Sequence, residues 1–128
     1  MEDGNTDNRS ASPITVGLLT GGGDCPGLNA AIRAVVRRAI TYNWRVIGFR
    51  NGWAGVIARD YIELESRSVS GILQQGGTML GTSRTDPRKS DDAYKKVQRS
   101  FEELRLKAIV AIGGDDTLSV ANALAKDG

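Results

Sequence analysis

Two glycine turns and the acids inside them carry the chemistry of this chain. The stretch GGDDT, Gly113 to Thr117, follows an apolar run and precedes a helix-like pattern; TGGGDCPG, Thr20 to Gly27, does the same near the start. Glycine lets a ligand approach backbone N–H groups with no Cβ in the way, and a helix that opens on such a turn presents free N–H groups to an anion. The chemistry suggested is phosphate binding. Two adjacent carboxylates, Asp115 and Asp116, then stand where a phosphate should lie. Mg²⁺ resolves half of that conflict, because it binds through one or two carboxylates together with phosphate oxygens and water. Asp115 suits a metal-holding role. The competing role for Asp115, Asp116 or Thr117 is to cap the last helix, which needs only one of the three.

Other phosphate loops fail on residue grounds. No Gly-Lys-Ser/Thr follows either turn, and a G-x-G-x-x-G reading from Gly21 ends on Pro26. The chain has no histidine, so no step can use imidazole as base, nucleophile or ligand. Its single cysteine, Cys25, excludes an internal disulfide and reads as a small packing residue.

The elements that must position these loops follow from periodicity. Residues 14–20 and 107–112 are short apolar runs, read as buried strands, and 44–49 is a second strand after the first. Between them, Leu28 to Tyr42 has helical spacing, with Ile32, Val35, Val36, Ala39 and Ile40 on one face and Arg33 and Arg37 on another. One helix between two strands is the rhythm of a parallel sheet. Residues 51–64 read as turn-rich, with a possible strand at 61–64; Ser68 reads as the cap of a short helix reaching Leu73; 74–88 reads as a loop with two arginines. Ser90 to Lys107 reads as a helix capped by Ser90, with Asp91 and Asp92 favourably placed in its first turn. The last helix is expected to carry Leu118, Ala121, Leu124 and Ala125 inward. Trp44 and Trp53 read as core or interface aromatics.

The chain of 128 residues, 40% apolar and 25% charged, suits one globular domain. A net charge of +2 gives no case for nucleic acid, and no apolar run approaches the ~18 residues of a membrane span. Residues 1–12 are polar and acidic and read as a disordered tail rather than a secretory signal. A cytoplasmic location is the expectation.

Three segments in order, GLLTGGGDCPGLNAAIRAVVRRA, GGTMLGTSR and AIVAIGGDDTL, resemble the N-terminal part of a phosphofructokinase, over nearly the whole chain. A lone GGD-x-T turn would also suit NAD kinases or diacylglycerol kinases. The resemblance implies a Rossmann-like α/β fold, a three-layer α-β-α sandwich with a mostly parallel sheet. It implies phosphorylation of fructose 6-phosphate with Mg²⁺ by a homo-oligomeric parent, dimer or tetramer. Carried onto this chain, Gly22, Gly23, Arg84, Gly114 and Thr117 line the donor phosphates, Asp115 belongs to the metal site, and Asp116 joins the donor-binding and catalytic set. Residues 13–128 would form a donor-phosphate-binding domain that stops before the family's catalytic aspartate, so this chain alone is expected to be inactive or nearly so.

ATP-using members usually carry glycine after the metal aspartate. Asp116 follows the diphosphate-dependent pattern, in which a carboxylate fills the space of the third phosphoryl group and repels it. Diphosphate is therefore the expected donor, with ATP as the alternative. A non-catalytic phosphate-binding module and a different kinase of the GGDGT group also remain open. Arg33 and Arg37 match effector-binding arginines of allosteric members, but Asp60 falls where a further effector arginine is expected. Weak or absent phosphate-effector control follows.

Overall fold

The structure, a computed structural model, describes residues 14–21, 28–71 and 78–127. The expectations for the tail, for Gly22, Gly23 and Cys25, and for Ile72 and Leu73 lie outside the described residues.

Among the described residues, four strands and four helices alternate: β1 (Thr15–Thr20), α1 (Leu28–Thr41), β2 (Arg45–Phe49), α2 (Trp53–Ala58), β3 (Tyr61–Leu64), α3 (Asp91–Glu103), β4 (Leu106–Ile112) and α4 (Asp115–Lys126). The strands form one sheet in the order β3-β2-β1-β4. β1 pairs in parallel with β2, Val16 opposite Val46, and with β4, Thr20 opposite Ile112. β3 runs antiparallel to β2, with Phe49 opposite Tyr61.

Side chains on a strand alternate between faces, and the core divides accordingly. Leu18, Val46 and Leu64 pack with Ile32, Val36 and Ala39 of α1 on one side. Leu19, Ile47 and Phe49 pack with Trp53 and Val56 of α2, Val97 of α3 and Val120 of α4 on the other. Helices cover both faces, which makes the three-layer α-β-α sandwich that the sequence implies. α1 stops where Asn43 takes a positive φ of 60°, turning the chain directly into β2.

Several local readings are corrected. Residues 51–64 are not merely turns: they contain α2. Six residues are too few to show a helical period or to stand alone, and the Asn-Gly pair before them reads as a turn. Burial of Trp53 and Val56 holds α2 in place, and Ser100 of α3 donates its hydroxyl to the Val56 carbonyl at 2.7 Å. Ser68 does not open a helix. It is the third residue of a 3₁₀ turn, Ser66–Val69, and its hydroxyl accepts the Glu65 N–H at 3.0 Å. Ser90 does cap α3, accepting from the Ala93 N–H. α3 ends sooner than expected, at Glu103, because Arg105 turns the chain at φ 55°. In α4 the buried residues are Thr117 and Val120. Leu118 is 49% exposed and Ala125 is also exposed, against the inward reading. β4 is only half-buried, since β1 is its single partner in the described sheet. Trp53 is a core residue, whereas Trp44 lies exposed and stacks on Tyr42 at a centroid distance of 5.2 Å.

Tyr94 of α3 donates its hydroxyl to the Asp127 carboxylate just past α4. That bond, with the neighbouring negative charge, pushes the Tyr94 phenol up to about 12. The bond exists only while the phenol is protonated. Its contribution to stability is therefore full below the ordinary tyrosine value near 10 and is lost as the pH rises through about 12. A spectrophotometric titration at 295 nm should show one late-ionising tyrosine that disappears in Tyr94→Phe and returns toward the ordinary range in Asp127→Asn; unchanged curves would refute the pairing.

Candidate functional site: a cleft at the sheet's switch point

The chain runs from β1 outward through β2 to β3 and then returns to place β4 on the other side of β1. The connections after β1 and β4 therefore leave the sheet in opposite directions. Such a switch point opens a crevice outside the carboxyl ends of the strands, where ligands of open α/β sheets bind. Both glycine turns begin there.

The two strand tips are in contact. The Gly21 N–H donates to the Ile112 carbonyl at 2.8 Å, extending the β1–β4 ladder by one bond. A Cβ at Gly21 would overlap the Thr117 hydroxyl, and a Cβ at Gly113 would overlap the Gly21 carbonyl oxygen. Glycine is thus required at both positions by close approach. Thr117, 7% exposed, sits under the junction.

A third segment is fastened over the ends of β1 and β2. The Thr20 hydroxyl donates to the Gly81 carbonyl at 2.8 Å and also meets the Thr78 hydroxyl at 2.8 Å. Asn29 of α1 accepts the Met79 N–H at 2.7 Å, the Asn51 N–H reaches the Leu80 carbonyl, and the Ser83 hydroxyl donates to the Asn51 carbonyl at 2.6 Å. Leu80, 2% exposed, plugs this segment into the core. Beyond it, Pro87–Lys89 forms a 3₁₀ turn whose N-cap, Asp86, accepts the Arg88 N–H.

Together these pieces line a cleft of about 850 Å³. Its walls include Gly21, Gly52 and Trp53 on one side, Thr82 to Asp86 with Lys89 on another, and Gly114 to Thr117 on the third. Of the residues singled out in the sequence, Arg84, Gly114, Asp115, Asp116 and Thr117 meet here. Arg33 and Arg37 do not: they stay on α1, away from the cleft lining. Asp60 bonds Arg50 at 3.2 Å on the protein's exposed surface.

The capping reading of the acids is corrected as well. The N-cap of α4 is Gly114, and no side chain caps it. Asp115 and Asp116 occupy the first helical turn, exposed, with no ion pair among the described residues. The N–H groups of that turn are left without a side-chain partner, which is the arrangement that favours an anion.

Sequence reasoning missed Gly52, Trp53, Thr82, Ser83, Thr85, Asp86 and Lys89. Gly52 and Trp53 lie in a segment with only turn signals, and for the others the only signal was a density of small hydroxyls and cations in a stretch without period. Lys89 and Arg84 are the cations lining the cleft, and neither forms an ion pair among the described residues. Arg88 behaves otherwise. It grips Asp86 with two guanidinium nitrogens, at 3.0 and 2.8 Å, and holds that carboxyl below its ordinary value.

For a metal, the described residues contain no group of three or more acidic, histidine or cysteine ligands. That excludes an all-protein cage among them but fits Mg²⁺, which takes one or two carboxylates and completes its shell with phosphate and water. Asp115, without an ion pair among the described residues and beside a helix N-terminus, is a carboxylate of the kind such a site takes.

The comparisons with known proteins agree with this fold. The phosphofructokinase family model matches residues 15–128. The pyrophosphate–fructose 6-phosphate 1-phosphotransferase of Dictyoglomus thermophilum is 50% identical over 117 residues, 91% of this chain and 34% of that protein. ATP-dependent 6-phosphofructokinase 3 of Streptomyces coelicolor is 49% identical over 116 residues, 90% of this chain and 34% of that protein. The crystal structure of Pichia pastoris phosphofructokinase in the T-state superposes with a TM-score of 0.84 at 30% identity, over 90% of this chain and 13% of the other. The chain belongs to the phosphofructokinase family. It spans about a third of the length of the two bacterial relatives.

The interlock of the strand tips yields a paired test. Gly113→Ala should lower stability by about 1–3 kcal/mol, because backbone rather than a flexible side chain must give way. Gly114→Ala, where a Cβ meets nothing within 4 Å, should change it little. Urea midpoints of the two variants decide the matter: equal shifts would contradict the close approach.

Proposed function

We propose that the cleft is the donor-phosphate half of a phosphotransferase that converts fructose 6-phosphate to fructose 1,6-bisphosphate, and that diphosphate is the donor. The observation that carries this reading is the position of Asp116. Its carboxylate stands next to Asp115 in the first turn of α4, on the wall of the same cleft as Arg84 and Lys89.

The roles follow from charge. Arg84 and Lys89 neutralise phosphate oxygens from the loop side, and the uncapped N–H groups of α4 receive them from the helix side. Asp115 holds Mg²⁺, which when bound bridges phosphoryl oxygens and neutralises their charge. Gly22 and Gly23 are assigned to the donor phosphates by the family resemblance alone. Gly114 keeps the turn open, and Thr117 holds the two tips in register. Asp116 then takes the space of a third phosphoryl group. At ~4 Å and an effective dielectric near 20, one like-charge pair costs about 4 kcal/mol, enough to decide between two donors. Phosphoryl transfer needs mainly such positioning and charge stabilisation.

A second reading, ATP as donor, has two specific supports. A cleft of about 850 Å³ has room for more than diphosphate. The Streptomyces relative named as ATP-dependent is as similar as the diphosphate-dependent one.

The longest natural form of the polypeptide should be assayed with fructose 6-phosphate, Mg²⁺ and each donor. Diphosphate is expected to support turnover well above ATP. Asp116→Gly should raise ATP use about tenfold or more relative to diphosphate, a change of ~1.4 kcal/mol or more. Asp115→Asn should raise the Mg²⁺ concentration needed for half-maximal activity and lower activity by about 10²-fold. ATP use that does not rise in Asp116→Gly would overturn the donor assignment; no turnover with either donor would overturn the phosphotransferase.

A further inference from the structure

Trp53 is 3% exposed and packs in the core, yet it also lines the cleft. A residue whose only task is to fill space has no use for a polar atom, and a buried indole N–H ordinarily finds an acceptor. That of Trp53 has none among the described residues: its Nε1 is shut off from solvent and bonds to nothing. The other buried side-chain atom in that condition, among the described residues, is Nε of Arg33, on α1 and away from the cleft lining. Nearby hydroxyls are answered: Thr20 bonds the Gly81 carbonyl and Ser83 the Asn51 carbonyl. The unanswered donor at the cleft is therefore local to Trp53.

The backbone fixes where this side chain starts. Asn51 and Gly52 take consecutive positive φ values, 61° and 63°, a region that few side chains tolerate, asparagine among them. The Asn51 N–H reaches the Leu80 carbonyl at 2.8 Å, and the Ser83 hydroxyl holds the Asn51 carbonyl at 2.6 Å. A Cβ at Gly52 would come within 3.2 Å of the Thr20 carbonyl oxygen. The turn is thus clamped between the tip of β1 and the segment that carries Arg84, and Trp53 is the first side chain after it. Val120 of α4, one helical turn beyond Asp116, belongs to the same core cluster as Trp53. The first turn of α4, whose N–H groups have no side-chain cap, lines the same cleft. An indole N–H is a donor only and carries no charge. It can serve an anion beside Asp115 and Asp116 without being neutralised by them.

Resting on the phosphotransferase reading above, we propose that Trp53 is a ligand-binding residue of this cleft, whose indole N–H donates to a phosphoryl oxygen of the bound donor. The nitrogen lies out of water's reach, so it meets that oxygen by a turn of the ring about its two side-chain torsions. The bond is a favourable one to make. A buried donor without a partner is a cost carried by the free protein, and no hydrogen bond to water has to be broken to satisfy it. Diphosphate and ATP both present such an oxygen. Trp53 therefore reads the phosphoryl group itself, and the choice between the two donors stays with Asp116.

The test follows the indole N–H signals of the longest natural form of the polypeptide, labelled with ¹⁵N-tryptophan, while magnesium–diphosphate or magnesium–ATP is added. The Trp53 signal is assigned by its absence in Trp53→Phe, and the Trp44 signal by its absence in Trp44→Phe. The Trp53 signal should move downfield as magnesium–diphosphate saturates the cleft, and the exposed Trp44 should not respond. Calorimetry on Trp53→Phe, which keeps an aromatic ring and removes the donor, should show the dissociation constant raised about tenfold. A donor that binds while the Trp53 signal stays in place, or that Trp53→Phe binds equally well, would overturn the inference and leave the donor reading intact. A Trp53 response to magnesium–ATP alone would support the inference and overturn diphosphate as donor. Binding of neither would overturn both.

Discussion

Everything at the ligand end of this molecule depends on how closely β1 and β4 approach at their carboxyl ends. One hydrogen bond, Gly21 N–H to the Ile112 carbonyl, continues the ladder past the last strand residue. Two missing side chains, at Gly21 and Gly113, make room for Thr117 and for the backbone itself. The turn into α4 therefore starts hard against the turn out of β1, and the first N–H groups of α4 open over the crevice between them. A wider gap would leave two separate turns and no shared anion site.

Charge is the second constraint. Among the described residues the cleft is lined by two cations and two carboxylates without ion pairs, and by Asp86, which Arg88 clamps. No simple sum makes such a site attractive to phosphate. What matters is the arrangement: a cation can hold phosphate from the loop, a carboxylate can hold a metal at the helix start, and in the proposed reading the remaining acid limits the length of the guest. Binding and exclusion would then come from the same few residues, which is how specificity is built by repulsion as well as attraction.

Much of this was legible in the sequence because it is written in strong signals. Apolar runs ended by glycines mark β1 and β4, and the heptad-like spacing of α1 and α3 fixes their inner faces. The meeting of Arg84 with the GGDDT turn was accessible only through the family resemblance, since no local pattern connects residues so far apart in the chain. α2 was missed because six residues carry no period and Trp53 stabilises them from a distance. The cap of α4 was misjudged for a different reason: Asp115, Asp116 and Thr117 are all good capping types, but Gly114 takes the position and frees them for the cleft. Lys89 and the Asp86–Arg88 clamp were invisible because a loop's side-chain directions depend on the tertiary bonds that pin it.

β4 has one neighbour in the described sheet, and among the described residues its other long side carries no partner strand. Amides along a parallel strand alternate between the two sides, so only those turned toward β1 are tied down. Deuterium should enter β4 in a comb-like pattern, slow at one peptide and fast at the next. That side is a seam: the place where more backbone, from this polypeptide or another, can be stitched on without disturbing any bond already made.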